Sequence, residues 1–81
     1  MRIRVHVTPR KGVLDPQGQA VAHGLAQLGF DAVGEVRVGK VVDLVLDNAS
    51  SESDALEQGQ AMARKLLANE VVEDFTVEVL G

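Results

Sequence analysis

Few residue types in this chain are able to do chemistry, and their spacing narrows them further. Gly34-Glu35-Val36-Arg37-Val38-Gly39-Lys40 has the G-x-x-x-x-G-K spacing of a phosphate-cradling loop. Val41 follows, where that chemistry needs a Ser or Thr hydroxyl to hold magnesium. The segment also alternates like a strand and runs into another strand, whereas a phosphate loop joins strand to helix. It reads as a hairpin. His6 and His23 have no acidic or histidine partner at metal-ligand spacing. Asp43 with Asp47, and Glu73 with Asp74, are carboxylate pairs of the kind that move protons or hold cations. Without a companion nucleophile or ligand cluster they read as surface charge. The chain has no cysteine, and no serine in a G-x-S-x-G setting.

What remains lies between residues 10 and 18. Arg10 and Lys11 stand near a helix start, where they could attract a phosphate or carboxylate or simply form a solvated basic turn. Val13-Leu14-Asp15-Pro16-Gln17-Gly18 is the most distinctive string. Asp15 is a good N-cap, able to accept hydrogen bonds from orphan amides of the first turn. Pro16 falls at the first helical position, where its missing N–H costs nothing. Gly18 leaves a small surface just inside the turn.

The elements that would position these residues follow from periodicity. Ile3, Val5 and Val7 alternate with polar residues, which predicts a half-buried strand ending at Pro9. A helix is expected over Pro16–Leu28, with Val21, Leu25 and Leu28 on one face. Gly24 inside it costs up to about 1 kcal/mol relative to Ala. Gly29 sits where a terminating glycine belongs, with Phe30 after it. A second strand is predicted over Ala32–Val38, a tight turn at Gly39-Lys40, and a third strand over Val41–Leu46. That third strand is apolar on both faces: Val42, Leu44 and Leu46 on one, Val41 and Val45 on the other. Such a strand is usually central or covered on its second side, and a covered second side points to a partner chain. A polar loop over Asn48–Asp54 offers Ser51 with Asp54, or Asp54 with Glu57, at capping-box spacing. A second helix is expected over Asp54–Ala68, with Leu56, Ala63 and Leu67 as one row and Met62 and Leu66 beside it. Phe75, Val77 and Val79 predict the last strand. The order is β-α-β-β-α-β. Its natural packing is ferredoxin-like: a four-stranded antiparallel sheet with two helices on one face.

With 81 residues the chain is a single domain, small enough to be only marginally stable alone. No disulfide is available to staple it, so association is the common remaining solution. The formal net charge is −4; the eight Lys and Arg are scattered, and Trp and Tyr are absent. This is not the footprint of a nucleic-acid binder. No apolar run approaches the roughly 18–20 residues of a membrane span. Met1-Arg2-Ile3-Arg4 opens directly into strand-like alternation with no signal-peptide apolar region, so a cytoplasmic location is expected.

Three strings together carry a family resemblance: Val13-Leu14-Asp15-Pro16-Gln17-Gly18; Val36-Arg37-Val38-Gly39-Lys40; and Lys65-Leu66-Leu67-Ala68-Asn69 followed by Val72-Glu73-Asp74-Phe75. In this order, and in a chain of this length, they resemble the PurS family. PurS is the small subunit of the multi-subunit phosphoribosylformylglycinamidine synthase of purine biosynthesis. The resemblance implies a subunit of an amide ligase that carries no catalytic, cofactor or metal site of its own. It would bridge a glutaminase subunit, PurQ, and a large synthetase subunit, PurL, on which ATP and magnesium are expected. It would assist assembly and ammonia transfer, and self-associate as a dimer or tetramer. Candidate subunit contacts are the cations Arg10, Lys11, Arg37 and Lys40, together with Gly39 and with Asp15, Gln17 and Gly18 of the helix start.

Two other readings compete. A ferredoxin-like small-molecule-sensing module would bind amino acids or nucleotides. An acylphosphatase-type hydrolase would need an arginine in a phosphate-cradling loop after the first strand and an asparagine to orient water; Pro9-Arg10-Lys11-Gly12 is a thin match. The fold itself hosts all three.

Overall fold

Ile3, Val5 and Val7 alternate inward along β1 (Arg2–Pro9), and all three are essentially fully buried. They form the spine of the core in a computed structural model that describes residues 1–81. β1 is the middle strand of three. It pairs antiparallel with β2 (Lys40–Val45) on one side and β3 (Glu73–Val79) on the other, giving the order β2-β1-β3. The registers Ile3↔Leu44, Val5↔Val42, Val5↔Val77 and Val7↔Phe75 put one apolar residue of each strand side by side. The opposite face carries Arg4↔Asp43 and His6↔Thr76 and is largely polar.

Between β1 and β2 lies α1 (Pro16–Gln27). It ends as its sequence predicts. Gly29 takes a φ of +97°, its amide donates to the Ala26 carbonyl, and the Phe30 amide donates to Leu25. This pair of bonds closes the last turn with a left-handed glycine. Between β2 and β3 lies α2 (Glu52–Met62), which continues into a five-residue π-helical segment, Ala63–Leu67, closed by the Ala68 amide on the Ala63 carbonyl at 2.8 Å. Of the two capping-box candidates, Ser51 with Asp54 is the one used. Ser51 Oγ accepts the Asp54 amide and Asp54 Oδ2 accepts the Ser50 amide, so the helix starts earlier than expected.

The sheet has three strands, not the expected four. The second strand predicted over Ala32–Val38, with a turn at Gly39-Lys40, does not form: Ala32 lies in a turn, and residues 33–39 pair with nothing and do not turn back. They run on from β2 beside the end of β1, with Gly39 against the Val7 carbonyl and the Arg37 guanidinium on the Pro9 carbonyl. Alternation alone did not distinguish a ladder strand from an extended segment held by side chains.

The helix layer also departs from expectation. α2 alone packs over the sheet, covering β3 and β1. It does so through Ala55, Gly59 and Ala63, all buried; of the predicted row and its neighbours, Ala63 is buried, Leu67 and Met62 pack partly buried against the core, and Leu56 and Leu66 are exposed. Small residues at i, i+4 and i+8 bring the helix close: a Cβ on Gly59 would meet Val77 and Ile3. Meanwhile α1 is drawn away from the sheet, and of its residues only Gly18 is buried. The molecule measures 50 × 25 × 14 Å with a radius of gyration of 15.8 Å, against about 12 Å for a compact domain of this length.

Candidate subunit interface

The distinctive string over Val13–Gly18 folds as a junction between α1 and the extended segment before β2. Asp15 is the N-cap by backbone conformation (φ −120°, ψ 96°), and Pro16 opens the helix as expected. Its carboxylate is not spent on the helix. Oδ2 accepts the Val38 amide at 2.8 Å, across to the other segment. That bond holds the Asp15 carboxyl below the usual carboxylate range. Partial desolvation opposes it, and the Gly18 and Gln17 amides add smaller support without completing hydrogen-bond geometry. Gly18 packs against the Val36 carbonyl so closely that a Cβ would collide with it and with Asp15 Oδ2. The small surface that Gly18 leaves is therefore used for a close approach within the subunit.

A cleft of about 180 Å³ lies between the two segments, with Leu14, Asp15 and Gly18 on one wall and Glu35, Val36 and Arg37 on the other. Arg37 bridges its rim: its Nη1 donates to the Pro9 carbonyl at 3.1 Å, and its Nε lies 3.9 Å from Glu35. The structure thus brings together Asp15, Gly18 and Arg37, from two of the family strings, while Gly39 lies against the Val7 carbonyl of β1. Arg10 is turned elsewhere, 3.5 Å from Asp74 at the start of β3, with its backbone amide on the Val72 carbonyl. Lys11 and Gln17 are exposed. Lys40 is exposed at the first position of β2, paired through its backbone with Val7. Neither lysine makes an ion pair.

The two apolar faces of β2 have different surroundings. Val42 and Leu44 are partly buried against the core. Val41 and Val45 are exposed on the polar face, where Arg4 makes a two-pronged contact with Asp43 (2.7 and 3.2 Å). That contact raises the Arg4 pKa and lowers that of Asp43.

A second concave surface was not anticipated. Because α2 covers β3 and β1, a groove of about 450 Å³ opens beside it over β2, lined by Leu44, Ala61, Met62, Leu66, Leu67 and Lys65. Leu66 is 84% exposed. The signal for it was the Ala55-Gly59-Ala63 spacing, which brings the small face of the helix to the sheet and turns Leu66 outward.

The fold and its open apolar surfaces define a small α+β association module. The chain belongs to the PurS family. Residues 2–81 match the family model described as PurS: phosphoribosylformylglycinamidine (FGAM) synthase. It is 47% identical over 76 residues to the PurS subunit of phosphoribosylformylglycinamidine synthase from Synechocystis, covering 94% of this chain and 75% of that one. Among solved structures it is similar to Thermus thermophilus PurS, with a TM-score of 0.77 and 40% identity over the whole of both chains. It is also similar to a chain in the structure of PurLQS from Thermotoga maritima, with a TM-score of 0.82 and 28% identity over 95% of this chain and 93% of that one.

Proposed function

We propose that this chain is the non-catalytic assembly subunit of an ATP- and glutamine-dependent phosphoribosylformylglycinamidine synthase, acting in the cytoplasm in purine biosynthesis. The observation that carries this reading is the PurS match over residues 2–81. The similarity to a chain of a PurLQS structure supports PurL and PurQ as its partners. A glutaminase subunit releases ammonia from glutamine. A synthetase subunit uses ATP to turn the formamide oxygen of formylglycinamide ribonucleotide into a leaving group, and ammonia displaces it to give the amidine. ATP and magnesium belong to that large subunit. The small subunit joins the two and self-associates as a dimer or tetramer.

The way the candidate residues are engaged within the subunit supports a narrower choice of partner contacts. Asp15, Gly18, Arg37 and Gly39 are engaged within the subunit, and Arg10 is paired with Asp74. Lys11 and Lys40, exposed and unpaired, are the cations free to meet an acidic patch, with Gln17 beside the helix start. Mixing the chain with the glutaminase and synthetase subunits tests the reading. Glutamine-dependent amidine formation is expected only when all three are present; equal rates with and without this chain overturn it.

A further inference from the structure

β1 is paired on both sides, which leaves β3 as an edge of the sheet. The ladder between them runs without interruption from Ile3↔Val79 to Pro9↔Glu73. Just beyond its two ends, the Leu80 amide donates to the Arg2 carbonyl and the Arg10 amide donates to the Val72 carbonyl. Antiparallel bonding alternates along a strand, so the backbone groups of Asp74, Thr76 and Glu78 face β1. Those of Phe75, Val77 and Val79 face outward, three donors and three acceptors with no strand beside them. Proteins blunt such edges with proline, lysine or a bulge. Glu73–Val79 has no proline and no lysine, and its register is unbroken. It is an open template for one more strand.

The side chains on the two faces of β3 specify the strand that fits. On the helix side Phe75, Val77 and Val79 are only partly buried, and an apolar residue beside each would extend their burial. On the open side Asp74, Thr76 and Glu78 are exposed. Arg10 lies 3.5 Å from Asp74 and His6 lies 3.6 Å from Glu78, both too long for a good charged hydrogen bond. Each carboxylate therefore keeps capacity for a cation on its outer side. With Glu73, the strand carries three acids and no base. A second β3 is a poor occupant, because two such edges would set carboxylates against carboxylates. We propose that the edge of β3 receives an extended segment of a partner subunit in which apolar residues alternate with Lys or Arg. This deepens the bridging reading above and rests on it.

Hydrogen–deuterium exchange tests the edge directly. The wild-type chain is measured alone and mixed with the glutaminase and synthetase subunits, with exchange resolved to single amides by mass spectrometry. The amides of Phe75, Val77 and Val79 are expected to exchange fast in the isolated chain and slowly in the complex. A complex in which they exchange as fast as before overturns the proposal and leaves bridging standing. Slowing that grows with the concentration of the isolated chain assigns the edge to a second copy, and also overturns it. Absence of any complex removes the bridging reading and the proposal with it. Thr76 then reads the sign of the partner, since it is exposed and uncharged between the two carboxylates. Thr76→Lys should weaken binding of the partner subunit by up to about fivefold, and Thr76→Glu should tighten it by a similar factor, both effects shrinking at high salt. A purely steric role would weaken both variants alike. Equal affinities of the two variants, or the reverse order, overturn the proposal.

Discussion

Asp15 Oδ2 accepts the backbone amide of Val38, 23 residues further on, at 2.8 Å, and this bond joins the start of α1 to the approach to β2. Its consequence is a pH dependence with a defined sign. The folded-state pKa of Asp15 lies below its ordinary value of 3.8. The linked stability is therefore present above about pH 4 and lost as pH falls through the folded value. Asp43, lowered by its bond to Arg4, acts in the same direction. Thermal melts between pH 6 and pH 2 are expected to show falling stability below about pH 4. Asp15→Ala should flatten part of that fall and lower stability at neutral pH. Asp15→Asn keeps an acceptor oxygen and should remove the same part of the pH dependence with a smaller loss.

Two glycines of the same helix should respond in opposite directions. At Gly18 a new Cβ collides with the Val36 carbonyl, a backbone atom that cannot swing aside. Gly18→Ala is expected to destabilise by about 1–3 kcal/mol despite improved helix propensity. At Gly24 no atom outside the helix's own backbone lies within 4 Å of the new Cβ. Gly24→Ala should stabilise by up to about 1 kcal/mol. Urea unfolding of the pair, at one protein concentration, reads both signs.

The sequence was most legible where a local rule acts alone. Ile3, Val5 and Val7 announce a buried strand, Pro16 opens a helix, Gly29 closes it, and Ser51 caps another. Residues 32–38 were misread as a strand because alternation reports an extended backbone and not its pairing partner. Asp15 was half legible: its position as N-cap is local, but the target of its carboxylate lies 23 residues away. Of the small-residue row only Ala63 was legible; Ala55 and Gly59 were missed because Leu56 and Leu66 offered a larger apolar face, and only the closeness of Ile3 and Val77 to Gly59 favours the smaller one. The three family strings carried the functional reading, while two of them turned out to bind each other within the subunit.

That row supplies a packing test. The Cβ position of Gly59 lies 2.7 Å from Val77 Cγ1 and 2.8 Å from Ile3 Cδ1. Val77 is stiff at χ1 and Ile3 belongs to the central strand, so neither yields easily. Gly59→Leu, a good helix former, should still cost about 3 kcal/mol or more because the helix must lift from the sheet. A chemical-denaturation midpoint equal to wild type would mean that the α2–sheet spacing is not the one described.

Charge reversal separates partner contacts from internal ones. Arg37→Glu removes the bond to Pro9 and sets a carboxylate beside Glu35, so it should disturb the α1 junction and lower thermal stability as well as any assembly. Lys11→Glu and Lys40→Glu break no ion pair within the subunit and should leave the melting curve within about 0.5 kcal/mol of wild type. If these lysines meet an acidic patch on the glutaminase or synthetase subunit, their reversal weakens co-elution, and the effect shrinks at high salt as screening grows. Co-elution of the double variant Lys11→Glu/Lys40→Glu that matches wild type at low salt would remove both lysines from the interface. The contact would then fall to the exposed apolar residues that self-association leaves uncovered, of which Val41 and Val45 on the polar face of the sheet are the first to test.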